Sequence, residues 1–130
     1  VTARAVVLLR VVGFHAWPDA PADVEHLRAR HRHLFTLRVE CAVRHSERDV
    51  EFHRLQRAVK HMLLDYYSRH ATLPANAPHD AIQTRPDDEF EFGARSCETI
   101  AQEIVERLYD WPITAVEVWE DDECGARVEP

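Results

Sequence analysis

What the chain is short of narrows its reading first. Lysine and arginine number 16 against 23 aspartates and glutamates, a net charge of -7. A phosphate backbone would meet a repelling field unless a strong local basic patch overcame it, so a nucleic-acid partner is not expected. Long apolar runs are missing too. The segment from Ala5 to Val12 is interrupted by Arg10 and has neither a basic leader nor a small-residue cleavage site; it reads as a strand rather than a signal peptide, and no membrane partner is expected. The cysteines Cys41, Cys97 and Cys124 are odd in number, widely spaced and contain no Cys-x-x-Cys pair. That argues against a disulfide framework and a zinc ribbon, and for a reducing, cytoplasmic setting. There is no internal repeat and no low-complexity linker, so residues 1–130 are expected to form a single domain.

What is present is periodicity. Ala3 to Phe14 is rich in Val and Leu and predicts a strand buried on both faces. Pro18 and Pro21 then break any ladder. His33, Phe35, Leu37, Val39, Cys41 and Val43 alternate with Leu34, Thr36, Arg38, Glu40, Ala42 and Arg44, the period of a second strand. Phe52, Leu55, Val59, Met62, Leu63 and Tyr66 recur at helical steps opposite Arg54, Arg57 and Lys60, with Asp49 as the expected N-cap. Residues 71–95 are irregular, apart from a short strand at Phe90 and Phe92. Ser96 should cap a second amphipathic helix carrying Ile100, Ala101, Ile104 and Leu108, with Glu98 favourable in its first turn. Thr114 to Glu120 alternates again, Asp121 to Glu123 reads as an acidic turn, and Ala126 to Glu129 offers one more short strand. The order predicts an α+β fold, an antiparallel sheet with two helices packed on one face.

Nine histidines are many for this length, and imidazole is both a metal ligand and a near-neutral acid or base. His31 and His33 share the apolar face of the second strand, about 7 Å apart along it by the usual rise. Both can point into one site.

Five segments then resemble, in sequence order, the 6-pyruvoyltetrahydropterin and 6-carboxytetrahydropterin synthase family. They are Phe14-His15-Ala16-Trp17-Pro18, His31-Arg32-His33, Asp49 to Leu55, Arg95 to Ala101 and Val118-Trp119-Glu120. The resemblance implies the T-fold, in which sheets of several subunits close into a homo-oligomeric barrel with ligand sites between them, removing exposed sheet edges. It also implies zinc on His31, His33 and a third histidine. The family's third position falls on Pro18, so that ligand must come from His15, His26 or His79. His15 is favoured by proximity, although alternation would direct it away from the face used by Phe14 and Ala16.

Glu120 is implied as the carboxylate that accepts paired N–H bonds from a pterin- or purine-like ring. Ser96 and Glu98 fall in the family's substrate-binding segment. The family's catalytic cysteine falls on Leu27, so proton transfer would pass to Glu25 or His26. Asp65 in Leu64-Asp65-Tyr66 and the reversed pair His79-Asp80 are further counterparts of the family's Asp-His pair. The expected function is a zinc-dependent lyase on a dihydroneopterin triphosphate-like substrate; the alternative is a non-catalytic oligomer that binds or scaffolds.

Overall fold

The computed structural model describes residues 1–68 and 89–130. Strand β1, Arg4–His15, runs its full length antiparallel to β2, His31–Ala42. Short 3-10 turns at Ala22–Leu27 interrupt the connection between them. Helix α1, Phe52–Tyr67, strand β3, Glu89–Gly93, and helix α2, Cys97–Arg107, precede the hairpin of β4, Ile113–Glu120, and β5, Cys124–Val128. The sheet order is β3-β1-β2-β4-β5. The pairs β1–β2, β2–β4 and β4–β5 are antiparallel, whereas β3 pairs with β1 in parallel. The sheet is therefore mixed at its β3 edge rather than wholly antiparallel.

One face of the sheet carries both helices. Ala5, Val7 and Leu9 of β1, Phe35, Leu37, Val39 and Cys41 of β2, and Val116 and Val118 of β4 are buried in one cluster with Leu55, Val59 and Leu63 of α1 and Ile100 and Ile104 of α2. A strand buried on both faces was expected for β1. Instead its burial alternates, and Leu8 on the helix-free face is 44% exposed, because both helices pack on the same side.

The caps follow the sequence in one helix and shift in the other. Ser96 caps α2 by accepting from the Thr99 N–H. Glu51, not Asp49, caps α1, accepting from the His53 and Arg54 N–H groups. Asp49 is engaged by the Arg44 backbone N–H and guanidinium instead. The buried aromatic of the last α1 turn is Tyr67, while Phe52 and Tyr66, expected in the stripe, are exposed.

Candidate metal centre

Alternation places three histidines on the helix side of the sheet at one end of the β1–β2 pair. Continuing the buried odd-numbered row of β1 leads through Gly13 to His15, and the matching row of β2 leads back from Phe35 to His33 and His31. The register sets His15 opposite His31 and Gly13 opposite His33. Sequence reasoning had taken Phe14 and Ala16 as markers of the site face. In fact Phe14 turns to the other side, where the Arg30 guanidinium stacks on its ring at 3.7 Å, and alternation brings His15 in.

The three rings meet edge to face, with centroids 4.5 Å apart for His15 and His31, 5.2 Å for His15 and His33, and 4.9 Å for His31 and His33. Beneath them Phe35, fully buried, contacts His15 and His33 at 5.3 and 5.6 Å. Gly13 makes this floor possible: a Cβ there would fall 2.5 Å from the Phe92 ring and 2.7 Å from Phe35.

Each imidazole is oriented through Nδ1. That atom of His15 lies 2.9 Å from the Arg95 carbonyl oxygen, that of His31 2.9 Å from the Ala29 carbonyl oxygen, and that of His33 2.5 Å from Asp121 Oδ2. Carbonyl and carboxylate oxygens only accept, so Nδ1 carries the hydrogen, and for His31 and His33 this leaves Nε2 free to present a lone pair. Among the described residues, His31 Nε2 and His33 Nε2 are buried without a hydrogen-bond partner. One ligand atom from each of the three rings lies within 4.8 Å of the others, a spacing suited to holding a metal ion. Orphaned nitrogens with oxygen-anchored Nδ1 atoms are a donor set that could hold a metal ion. Burial pushes His15 below its ordinary pKa, and its histidine neighbours act in the same direction against the Arg95 carbonyl and Glu120, which favours the neutral form a ligand needs.

Beside the rings lies a pocket of about 540 Å³, lined among others by Trp17, Leu27, Ser96, Cys97, Glu98 and Glu120. Glu120 Oε1 is 3.2 Å from His15 Nε2 and its Oε2 is 3.6 Å from His33 Nε2. The Cys97 thiol donates to Glu120 Oε1 at 3.4 Å. Burial first, and the Glu120 charge second, push the Cys97 pKa up, so this sulfur stays protonated and is no thiolate nucleophile.

Several side chains hold this end of the fold in place. The Arg95 guanidinium donates to Phe92 O and to Glu103, which also receives the Tyr67 hydroxyl. Asp121, at φ 51, accepts the Leu34 N–H through Oδ1 while its own N–H donates to Leu34 O. The His33 bond, followed by the Leu34 N–H, lowers the Asp121 pKa and keeps it a carboxylate.

Of the residues singled out from sequence, His15, His31, His33, Glu120, Ser96 and Glu98 come together here. Glu25 and His26 are exposed on the 3-10 turns and do not line the pocket; Leu27 beside them does. Asp65 is exposed on α1 and lines a different depression with Arg54, Arg57 and Arg107. His79 lies outside the described residues. Asp121 was read only as part of an acidic turn; the sole hint of its role is its place directly after a strand-ending glutamate. The Arg95 and Ala29 carbonyls leave no mark in a sequence.

No protein-family model matches the chain, and no curated protein matches it. Solved structures do. The uncharacterized protein WS1659 from Wolinella succinogenes aligns with a TM-score of 0.62 at 14% identity, over 99% of this chain and 98% of that one. Plasmodium falciparum 6-pyruvoyl tetrahydropterin synthase aligns with a TM-score of 0.54 at 17% identity, again over 99% and 98%. The chain thus has the 6-pyruvoyl tetrahydropterin synthase fold in a strongly diverged sequence.

Proposed function

We propose that the chain is a zinc-dependent pterin-binding protein of the tetrahydropterin synthase type. The observation that carries this reading is the convergence of three Nδ1-anchored imidazoles, two of them with unpartnered Nε2 atoms among the described residues, beside a pocket that also holds a carboxylate. His15, His31 and His33 would hold the ion. Once bound, it would supply Lewis acidity to a carbonyl or hydroxyl of the ligand.

The remaining work belongs to the chain's own groups. Glu120 offers two acceptor oxygens for the N–H edge of a 2-amino-4-oxo pyrimidine ring, as in pterins and guanines. Trp17, 47% exposed at the pocket, offers a face for stacking. Ser96 and Glu98 line the wall. Burial of His15 and Cys97 keeps water from the inner side. Homo-oligomerisation through the outer strand β5 would cover a sheet edge.

In this reading the reaction is that of a lyase on a dihydroneopterin triphosphate-like substrate. A binding role without turnover is favoured by one observation: Leu27 lines the pocket at the position where the resemblance calls for the catalytic cysteine. Calorimetric titration of zinc-loaded protein with a pterin tests the shared claim. Saturable binding that disappears in His33→Ala and weakens in Glu120→Ala is expected, and binding unaffected by both substitutions would overturn it. Incubation with dihydroneopterin triphosphate then separates the two roles: release of inorganic triphosphate supports the lyase, and binding without release supports the binding protein.

A further inference from the structure

In a chain with 23 aspartates and glutamates against 16 lysines and arginines, carboxylates are plentiful. Arg30, Arg38, Arg44, Arg95 and Arg127 each meet one at 2.9 Å or less. Arg54, Arg57 and Arg107 form no ion pair among the described residues, yet all three line one depression of about 640 Å³ where α1 meets the end of α2. It shares no lining residue with the pocket at the histidines.

The helices bring the three together. Arg54 and Arg57 are three residues apart on α1, so they share a face, and both are exposed. Arg107 reaches the depression from the last turn of α2, its guanidinium laid on the Tyr66 ring at 3.6 Å. Its Nε is buried without a hydrogen-bond partner. Stacking fixes the plane of the guanidinium and leaves its edge to fork onto an oxyanion. Arginine is charged at every working pH, so three of them in one hollow repel one another whatever the protonation of their neighbours, and an anion among them reverses the sign. Asp65 and Asp110 stand at the same depression without pairing to them, and would oppose a long polyanion laid across it more than a compact one held at the guanidiniums.

We propose that this depression binds the phosphoryl group of a small molecule, a pyrophosphate or a nucleoside phosphate, through Arg54, Arg57 and Arg107. The site is separate from the histidine centre and does not depend on it. Tyr109, 80% exposed at the depression, offers a ring face on which a nucleobase could stack.

Calorimetric titration at low ionic strength, with inorganic pyrophosphate and separately with ATP, provides the test. The wild type should bind saturably, and Arg57→Gln and Arg107→Gln should each weaken binding by roughly 10- to 100-fold, the loss of a charge-assisted hydrogen bond. If Arg107→Gln fails to fold, the exposed Arg57 still reports through its own variant. Arg10→Gln, which removes an equally exposed arginine on β1, should leave binding unchanged, as should His33→Ala at the metal centre. Pyrophosphate and ATP bound alike would assign recognition to the phosphoryl group alone; tighter binding of ATP, with the gain removed by Tyr109→Ala, would add the base. The inference is overturned by an absence of binding in the wild type, by an equal loss in Arg10→Gln, or by loss in His33→Ala, which would place the anion on the metal. Tighter binding of an oligoglutamate peptide than of pyrophosphate would also overturn it, pointing to an acidic protein partner.

Discussion

Strand β2 carries two polar clusters, one on each face, and they are built on opposite plans. On the helix-free face Arg38 meets Glu117 at 2.9 Å and Glu40 at 3.2 Å, Arg127 meets Glu117 at 2.8 Å, and the Thr114 hydroxyl donates to Glu40. Every charge there faces its opposite. The Thr114 and Arg38 bonds lower the Glu40 pKa, and the Trp119 N–H, followed by Arg127, lowers that of Glu117. On the helix side three imidazoles crowd together, two of them with buried nitrogens that have no hydrogen-bond partner among the described residues. The first cluster pairs its own charges, and the second has the spacing of a group that could hold a metal ion. A fold that satisfies its polar groups so fully on one face has a reason to leave them unsatisfied on the other.

Substitutions that separate the clusters should differ most in metal content. His31→Ala or His33→Ala is expected to abolish zinc uptake, whereas Arg38→Met should leave it intact; elemental analysis of protein purified without chelator checks both. Uptake that falls equally in Arg38→Met would break the distinction.

The shared floor gives the next largest effect. Phe35 is fully buried and contacts two of the histidines and Phe92. Phe35→Ala should therefore lose about 3–5 kcal/mol in urea unfolding and weaken metal binding as well. Gly13→Ala should lose about 1–3 kcal/mol by overpacking the same floor.

Asp121→Asn sharpens the comparison at the level of one bond. Removing the carboxylate that orients His33 should weaken zinc affinity by about 10- to 100-fold with the fold retained. Glu117→Gln, the matching change on the other face, should leave affinity unchanged in a competition assay with a chromogenic chelator.

The smallest expected effect is the pH dependence of the salt-bridged face. Glu40 and Glu117 have lowered pKa values in the folded chain. Their stabilisation is complete above the unfolded glutamate value of about 4.3 and is lost as pH falls through their lower folded values. Urea midpoints should decline across that acid range, and less steeply in Glu117→Gln, whose effect near neutrality should stay within about 1 kcal/mol.

The elements were legible in the sequence wherever one face was buried. The alternation from His33 to Val43 and the helical steps from Leu55 to Leu63 report burial directly, and the structure follows both. The parallel pairing of β3 was not legible, since five residues with two phenylalanines carry no signal of direction. Spacing alone put two histidines, His31 and His33, on one face, and their rings do meet, with centroids 4.9 Å apart. The third was named by proximity against an alternation argument that had the wrong reference face: the odd-numbered row from Ala5 to Leu9, not Phe14, marks the core side of β1. Asp121 and the Arg95 carbonyl stayed hidden because they act across β-strand neighbours and an 80-residue separation, which only the folded chain brings together.

The central claim is that the imidazoles of His15, His31 and His33 bind a divalent ion. Its most direct test is calorimetric titration of chelator-stripped protein with Zn²⁺, beside the variant in which all three histidines are alanine. The account predicts one tightly held ion per chain in the wild type and none in the variant. No uptake by the wild type, or equal uptake by the variant, would contradict it.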